Sequence, residues 1–108
     1  MKTVLVLHQL LAIIDREMRP IARKVGLTPD DVLIIAWLVD HEATSGSLIA
    51  DRLGRARQNT QRSLQRLERE GLVQRYEHSI TGKTAAWALT EAGHARWRSL
   101  EYAFDEQE

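Results

Sequence analysis

Six polar side chains share one face of the segment between residues 57 and 70, whose apolar spacing predicts a helix. Arginine can donate two hydrogen bonds to guanine, and asparagine or glutamine can pair in the same two-point way with adenine. A helix that is merely solvated more typically carries glutamate and lysine of alternating sign. The chemistry available to this segment is therefore hydrogen bonding to the edges of DNA bases. We define its recognition face as Arg57, Gln58, Asn59, Gln61, Arg62 and Gln65.

Basic and hydroxyl side chains flank the recognition face and could hold the DNA backbone. Contacts to phosphate orient a protein on DNA without reading its sequence. Lys83, with a threonine on either side, lies at the tip of a predicted hairpin, from which it could reach a minor groove or its phosphates. Taken singly, each of these residues is more often a solvated surface residue. The candidate phosphate and wing contacts are Arg55, Arg66, Arg69, Arg75, Thr81, Lys83 and Thr84.

The net charge of the chain is zero, which at first argues against a nucleic-acid partner. The charges are unevenly placed, however. From Arg52 to Arg75, seven arginines stand against two glutamates, which gives a local charge of +5. From Glu91 to Glu108, five acids stand against two arginines, which gives −3. A neutral chain can thus carry a basic face. The phosphate backbone of DNA responds to the local electrostatic field of that face rather than to the net charge.

The elements that must position these side chains follow from apolar spacing and from helix start and stop signals. Thr28 and Pro29 favour a helix start, and the apolar run of residues 32–39 predicts a central, buried helix. Gly54 and Gly71 favour the ends of two further helices, which together form a helix-turn-helix. Beyond Gly71 the pattern changes to that of a hairpin. The predicted helices span about residues 2–24, 28–41, 47–53, 57–70 and 90–104, the wing spans about 72–89, and all belong to one domain of residues 1–108.

The expected fold is mainly α with a small β-hairpin, a winged helix-turn-helix flanked by N- and C-terminal dimerisation helices. The first helix carries a wider apolar stripe than one neighbouring helix would cover, which favours a surface shared between core and dimer interface. A purely internal core helix is the alternative. The candidate dimer contacts are Leu7, Leu11, Ile14, Trp97, Leu100 and Phe104.

Catalytic and metal chemistry find little support in the sequence. The chain has no cysteine, no glycine-rich phosphate loop and no nucleophile motif, and its four histidines lack the spacing of metal ligands. His41 lies at a predicted helix end, where a histidine favourably meets the helix dipole. The three tryptophans are expected in the core rather than around a ligand. We therefore expect no enzyme, no metal and no cofactor.

The N-terminus begins with Lys2 and an apolar run, which is how a signal peptide starts. His8 and Gln9 interrupt this run, and charged residues at 15–17 end it without a small-residue cleavage site. No stretch reaches the roughly 18 apolar residues that a membrane span requires. The protein is expected in the cytoplasm.

Four segments follow a pattern known from one family of regulators. They are Leu48–Gly54, Arg57–Leu67, Glu70–Val73 and Leu89–Gly93, within about residues 27–95. Together they resemble the MarR family of winged-helix regulators, and the Leu-Thr-Glu-x-Gly run after the wing is the most particular part of the match. The resemblance implies a homodimer on a pseudo-palindromic site, with the 57–70 helix in the major groove and the wing on the flanking minor groove. It also implies dimerisation through the terminal helices and, in many members, a small phenolic ligand between the dimer and DNA lobes.

Three features depart from the family pattern. Thr81 and Lys83 stand where an Asp-x-Arg pair usually braces the wing. Ala56 precedes the 57–70 helix, where a capping serine or threonine is common. The chain also ends before the long second C-terminal helix of many members, so that dimerisation is expected to fall on the first and last helices.

The sequence thus predicts a sequence-specific transcription regulator that binds double-stranded DNA as a homodimer. One alternative is a winged-helix module for protein contacts, although such a surface should expose aromatic or leucine side chains. The other is an architectural or replication-associated DNA-binding protein of low specificity, which only a measured specificity ratio separates from a regulator. No residue points to a small-molecule effector, although the pattern is compatible with one.

Overall fold

The computed structural model describes residues 22–23, 26–41, 43–77 and 85–107, without the side chains of 103, 104, 106 and 107. The predicted helix over residues 2–24 lies outside these ranges except for residues 22 and 23, which are helical. The predicted fold class is confirmed, since helices and a small antiparallel sheet follow one another in the expected order. The elements are α1 (Pro29–Val39), β1 (Thr44–Ser45), α2 (Gly46–Leu53), α3 (Arg57–Arg69), β2 (Val73–Glu77), β3 (Ala85–Leu89) and α4 (Glu91–Gln107).

Helix α1 is the central element, and its first turn is closed by two reciprocal hydrogen bonds. The backbone N–H of Asp31 donates to Thr28 Oγ1 at 3.1 Å, and the N–H of Thr28 donates to Asp31 Oδ2 at 3.1 Å. Pro29 takes the first helical position, where its missing N–H costs nothing. Residues 32–36 are all buried, which explains why the helix is apolar on every side. The prediction of a central, capped helix is confirmed.

The sheet has three strands in the order β1-β3-β2, all antiparallel. Strand β1 has no counterpart among the predicted elements, which place no strand ahead of the 47–53 helix. Ser45 caps α2, since its hydroxyl accepts from the N–H of Leu48 at 3.2 Å. Thr44 also pairs with Trp87 of β3. A two-residue strand has no periodicity to detect, and only its tertiary partner defines it.

Helices α2 and α3 form the predicted helix-turn-helix. Gly54 ends α2 in the left-handed conformation at φ +66°, which a glycine adopts without strain. Ala50, fully buried, lies on the inner side of α2, and α2 packs on α3. Leu64 and Leu67 bury the inner side of α3. The side of α3 opposite the recognition face therefore packs on the core.

The core draws on every helix and on the sheet, and two tryptophans belong to it. Trp87 is 2% exposed and Trp97 is 4% exposed, which confirms that they are core residues. Leu100 is fully buried in the same cluster. Trp97 and Leu100 were expected at a dimer interface, but burial within the single chain leaves them almost no surface for a partner. An apolar helix face looks the same in sequence whether it packs inside one chain or between two.

Helix α4 begins at Glu91, directly after a cap at Thr90. The N–H of Gly93 donates to Thr90 Oγ1 at 3.0 Å, and the Thr90 hydroxyl donates to the carbonyl of Gly71 at 2.6 Å. The helix runs to Gln107, three residues beyond the predicted end. None of the helices in the described part of the chain is long and apolar enough to cross a membrane.

Candidate nucleic-acid interface

The outer side of α3 is the surface that the sequence singled out. All six residues of the recognition face are exposed, whereas Thr60, Ser63, Leu64 and Leu67 on the opposite side are buried. The sequence separates these two sides because α3 is strongly amphipathic, with polar side chains at every outward position. The structure thus brings the six polar side chains together on one solvent-facing surface of one helix.

The N-terminus of α3 has no side-chain cap. Ala56 occupies the cap position at φ −64° and ψ 136°, and its carbonyl accepts from the N–H of Thr60 at 3.0 Å. The first turn contains no acidic residue. Uncapped N–H groups and the helix dipole make this end positive, which suits an approaching phosphate. Arg57 adds a charge there and lies 3.6 Å from Asp51 in an exposed ion pair.

Arg66 joins α3 to the start of α1. Its Nη2 donates to Asp31 Oδ1 at 2.7 Å and its Nε to Asp31 Oδ2 at 3.4 Å. Nη2 also lies 3.3 Å from both Thr28 Oγ1 and Ser63 Oγ. The hydrogen bond to Asp31 is the main cause of a raised pKa for Arg66, because the carboxylate stabilises the charged guanidinium. Asp31 as a whole residue is 1% exposed, so that its carboxylate serves both as a helix cap and as a buried counter-ion.

This ion pair bears on the predicted phosphate contacts. Arg66 and Arg55 are both directed to acids of α1, since Arg55 Nε lies 3.1 Å from Asp30 Oδ1, although without hydrogen-bond geometry. That they clamp phosphate stays a prediction, and their partners favour a bracing role. Sequence reasoning missed the pairing because Asp31 and Arg66 are 35 residues apart. No local pattern marks such a contact.

The remaining candidates fall into two groups. Arg69 and Arg75 are exposed, and Arg75 Nη2 lies 3.7 Å from Glu77 Oε1 on the same strand. An exposed pair of this kind contributes little and can yield to a phosphate. The tip of the wing, with Thr81, Lys83 and Thr84, lies outside the described residues.

A cleft of about 480 Å³ opens beside the Asp31–Arg66 pair. Its other lining residues belong to the segment that leads into α1, and it is open to solvent. The pair thus forms one wall of a cleft that reaches from this segment to α3. The remaining lining residues are Arg23, Gly26, Leu27, Thr28 and Pro29.

The histidine at the end of α1 has a structural role. His41 Nδ1 lies 2.6 Å from the carbonyl of Trp37, and the two rings stack with centroids 3.6 Å apart. This confirms the interpretation of His41 as a residue that meets the helix C-terminus. Within residues 22–23, 26–41, 43–77 and 85–107, no group of three or more histidine and acidic side chains is arranged to hold a metal ion.

Comparison with known proteins decides the family. A sequence profile described as the MarR family matches residues 25–82, which is more than half of the chain. The chain belongs to the MarR family. It is therefore a DNA-binding transcription regulator with a winged helix-turn-helix, as the sequence predicted. Comparison with curated protein sequences gives no significant match.

Solved structures show the same fold. YusO of Bacillus subtilis is 25% identical with a TM-score of 0.75, over 92% of this chain and 70% of that one. Staphylococcus aureus MepR in its DNA complex is 24% identical with a TM-score of 0.73, over 92% of this chain and 85% of that one. In a further structure, MepR is described as a transcription regulator of the multidrug efflux pump MepA. It is 24% identical with a TM-score of 0.74, over 91% of this chain and 76% of that one.

Proposed function

We propose that this MarR-family regulator reads a specific DNA site with the recognition face of α3. The observation that carries the proposal is the exposure of six donor and acceptor side chains on the outer side of one helix. Arginine, asparagine and glutamine are the side chains that pair bidentately with guanine and adenine in the major groove. The same helix is held to the core by Leu64 and Leu67 and to α1 by Arg66, so that its outer side chains have a rigid support.

The backbone contacts are assigned to the charges that border the recognition face. Arg69 and Arg75 are exposed and sit at the end of α3 and on the wing, where they can bind phosphate. In the proposal, Thr81, Lys83 and Thr84 of the wing tip extend the footprint toward the minor groove. The structure of MepR with DNA supports double-stranded DNA as the partner of this fold.

The functional unit in the proposal is a homodimer. Two copies that pair through their terminal helices place two α3 helices about one DNA turn, or about 34 Å, apart. Leu7, Leu11, Ile14 and Phe104 remain the predicted dimer contacts, and Tyr102, 68% exposed, is a further aromatic side chain on α4. A regulator of chromosomal DNA works in the cytoplasm, and neither catalysis nor a cofactor is part of the proposed function.

Substitution of Arg62 tests the base-reading role. Selection from random-sequence duplexes first supplies a preferred duplex, and fluorescence anisotropy then compares it with a shuffled version. We expect Arg62→Ala to weaken binding to the preferred duplex by about 1–3 kcal/mol and to relax the preference at one base position. Its binding to the shuffled duplex should change little.

Arg69→Ala is the matched control, because Arg69 is an exposed arginine of the same helix outside the recognition face. A phosphate contact should weaken binding to both duplexes alike and lower the salt slope by about one. An equal loss on both duplexes for Arg62→Ala would reduce Arg62 to a phosphate contact. Failure of the wild-type protein to bind either duplex would favour the protein-interaction module instead.

A further inference from the structure

Thr90 links the start of α4 by hydrogen bonds to the junction between α3 and the wing. Both the hydroxyl and the backbone N–H of Thr90 form hydrogen bonds at this point. Its hydroxyl donates to the carbonyl of Gly71 at 2.6 Å and accepts from the N–H of Gly93 at 3.0 Å. Its own N–H donates to the carbonyl of Leu72 at 3.1 Å. We call Gly71, Leu72, Thr90 and Gly93 the α3–α4 joint.

Gly93 brings the first turn of α4 directly against this backbone. A Cβ added at Gly93 would overlap the carbonyl oxygen of Leu72 and lie 2.9 Å from Leu89 Cδ2. The overlap is with main chain, which cannot turn aside as a flexible side chain can. Any larger residue would therefore push α4 away from the joint. The close approach explains why the Leu-Thr-Glu-x-Gly run requires its glycine.

The joint connects α4 to the recognition helix without passing through the wing hairpin. The N–H of Gly71 donates to the carbonyl of Glu68, and the N–H of Leu72 donates to the carbonyl of Leu67, each at 2.9 Å. Both acceptors lie in the last turn of α3. A chain of hydrogen bonds thus links the end of α3 to the start of α4.

The length of α4 makes its angle at the joint important. A helix of 17 residues is about 25 Å long. A change of about 10° at its start moves its far end by about 4 Å, which is close to the 3.4 Å rise of one base pair. Trp97 and Leu100 hold the middle of the helix on the core, and the joint fixes its origin.

We propose that Thr90 and Gly93 are positioning residues that set the distance between the two recognition helices of the dimer, and hence the spacing of the two DNA half-sites. The proposal rests on the proposed function, since it requires two copies on one duplex. Neither residue contacts DNA in this account. They act on where α3 is placed relative to the dimer axis, and the choice of bases stays with the recognition face.

Selection from duplexes of about 40 random base pairs separates an effect on half-site spacing from an effect on base choice. Such duplexes are long enough to hold two half-sites about 10 base pairs apart. We expect wild type to recover one half-site sequence at one dominant spacing. Thr90→Val keeps the side-chain volume and removes the hydroxyl. It should recover the same half-site sequence, with the preference for the dominant spacing over its neighbours reduced severalfold. Thr90→Ser keeps the hydroxyl and should restore that preference.

Ser99→Ala is the control on the same helix, because Ser99 is exposed and its hydroxyl meets the carbonyl of Ala95 in its own helix at 3.5 Å. It should leave the spacing unchanged. If Thr90→Val does not fold, Gly93→Ala replaces it and should shift the dominant spacing. An unchanged, equally sharp spacing in a folded variant would overturn the proposal, and so would failure of both variants to fold. If the wild-type protein selects no paired half-sites, the proposed function itself fails.

Discussion

At the scale of single residues, Asp31 has a role that its sequence position only half reveals. Its place in the first turn of a helix predicts an acid that favours the positive end of the helix dipole, and the structure adds a capping box with Thr28. Its second role, as the buried counter-ion of Arg66, depends on a partner 35 residues away. Local pattern therefore predicted the helix start and could not predict the ion pair, whereas the outward face of α3 was predictable residue by residue.

Neutralising Asp31 should destabilise the fold. Asp31→Asn keeps the side-chain volume and removes the charge that Arg66 needs. We expect a loss of about 1.5–3 kcal/mol of unfolding free energy, as for a hydrogen bond to a charged group. A fully buried pair would lose about 3–5 kcal/mol, but Arg66 is 37% exposed and water screens it in part. Urea unfolding followed by tryptophan fluorescence measures the change.

Asp51→Asn is the matched control for this experiment. Asp51 pairs with Arg57 at 3.6 Å, and both side chains are well exposed at 60% and 70%. The unfolding free energy should change by no more than about 0.5 kcal/mol. Equal losses for Asp31→Asn and Asp51→Asn would contradict the assignment of Asp31–Arg66 as the brace of α3.

At the scale of elements, the features that local chemistry specifies were predictable and those that depend on a partner were not. Thr28 was predicted to start a helix and Gly54 to end one, and each occupies that position. Strand β1 was missed because Thr44 and Ser45 become a strand only by pairing with β3. The uncapped start of α3 was also visible in the sequence, as alanine at position 56.

Restoring a cap at α3 should stabilise the protein. Ala56 has the extended backbone of a cap residue at φ −64° and ψ 136°, which serine adopts without strain. Ala56→Ser supplies an acceptor for an N–H of the first turn, and we expect about 1 kcal/mol of added unfolding free energy. Ala95→Ser, at an exposed position inside α4, offers no such acceptor and should give no gain. No gain for Ala56→Ser in urea unfolding would mean that the helix start is already satisfied.

At the scale of the whole molecule, apolar pattern and charge total were both ambiguous. Trp97 and Leu100 satisfy the pattern of an interface and instead complete the core of one chain. The zero net charge conceals the excess of arginine between residues 52 and 75. The sequence predicted the family and the exposed polar side of α3, because both depend on local runs of residues. The surface that pairs two copies depends on three-dimensional packing.

The oligomeric state follows from the proposed function and has its own test. Light scattering at working concentration should give twice the 12.4 kDa mass of one chain. Removing apolar side chains at Leu7, Leu11 and Ile14 should weaken the association, with circular dichroism as the check that each variant folds. A mass of one chain for the wild-type protein would contradict the homodimer.

The most direct test of the central claim is a salt titration of binding to the preferred duplex and to its shuffled version, read by fluorescence anisotropy. At physiological salt, the protein should bind the preferred duplex at least about 10³-fold more tightly than the shuffled duplex. Binding to the shuffled duplex should fall steeply as salt rises, because each neutralised phosphate contributes about −0.9 to the logarithmic slope. Equal affinity for both duplexes at every salt concentration would contradict sequence-specific reading by α3. Absence of binding to either duplex at the lowest salt would contradict DNA binding itself.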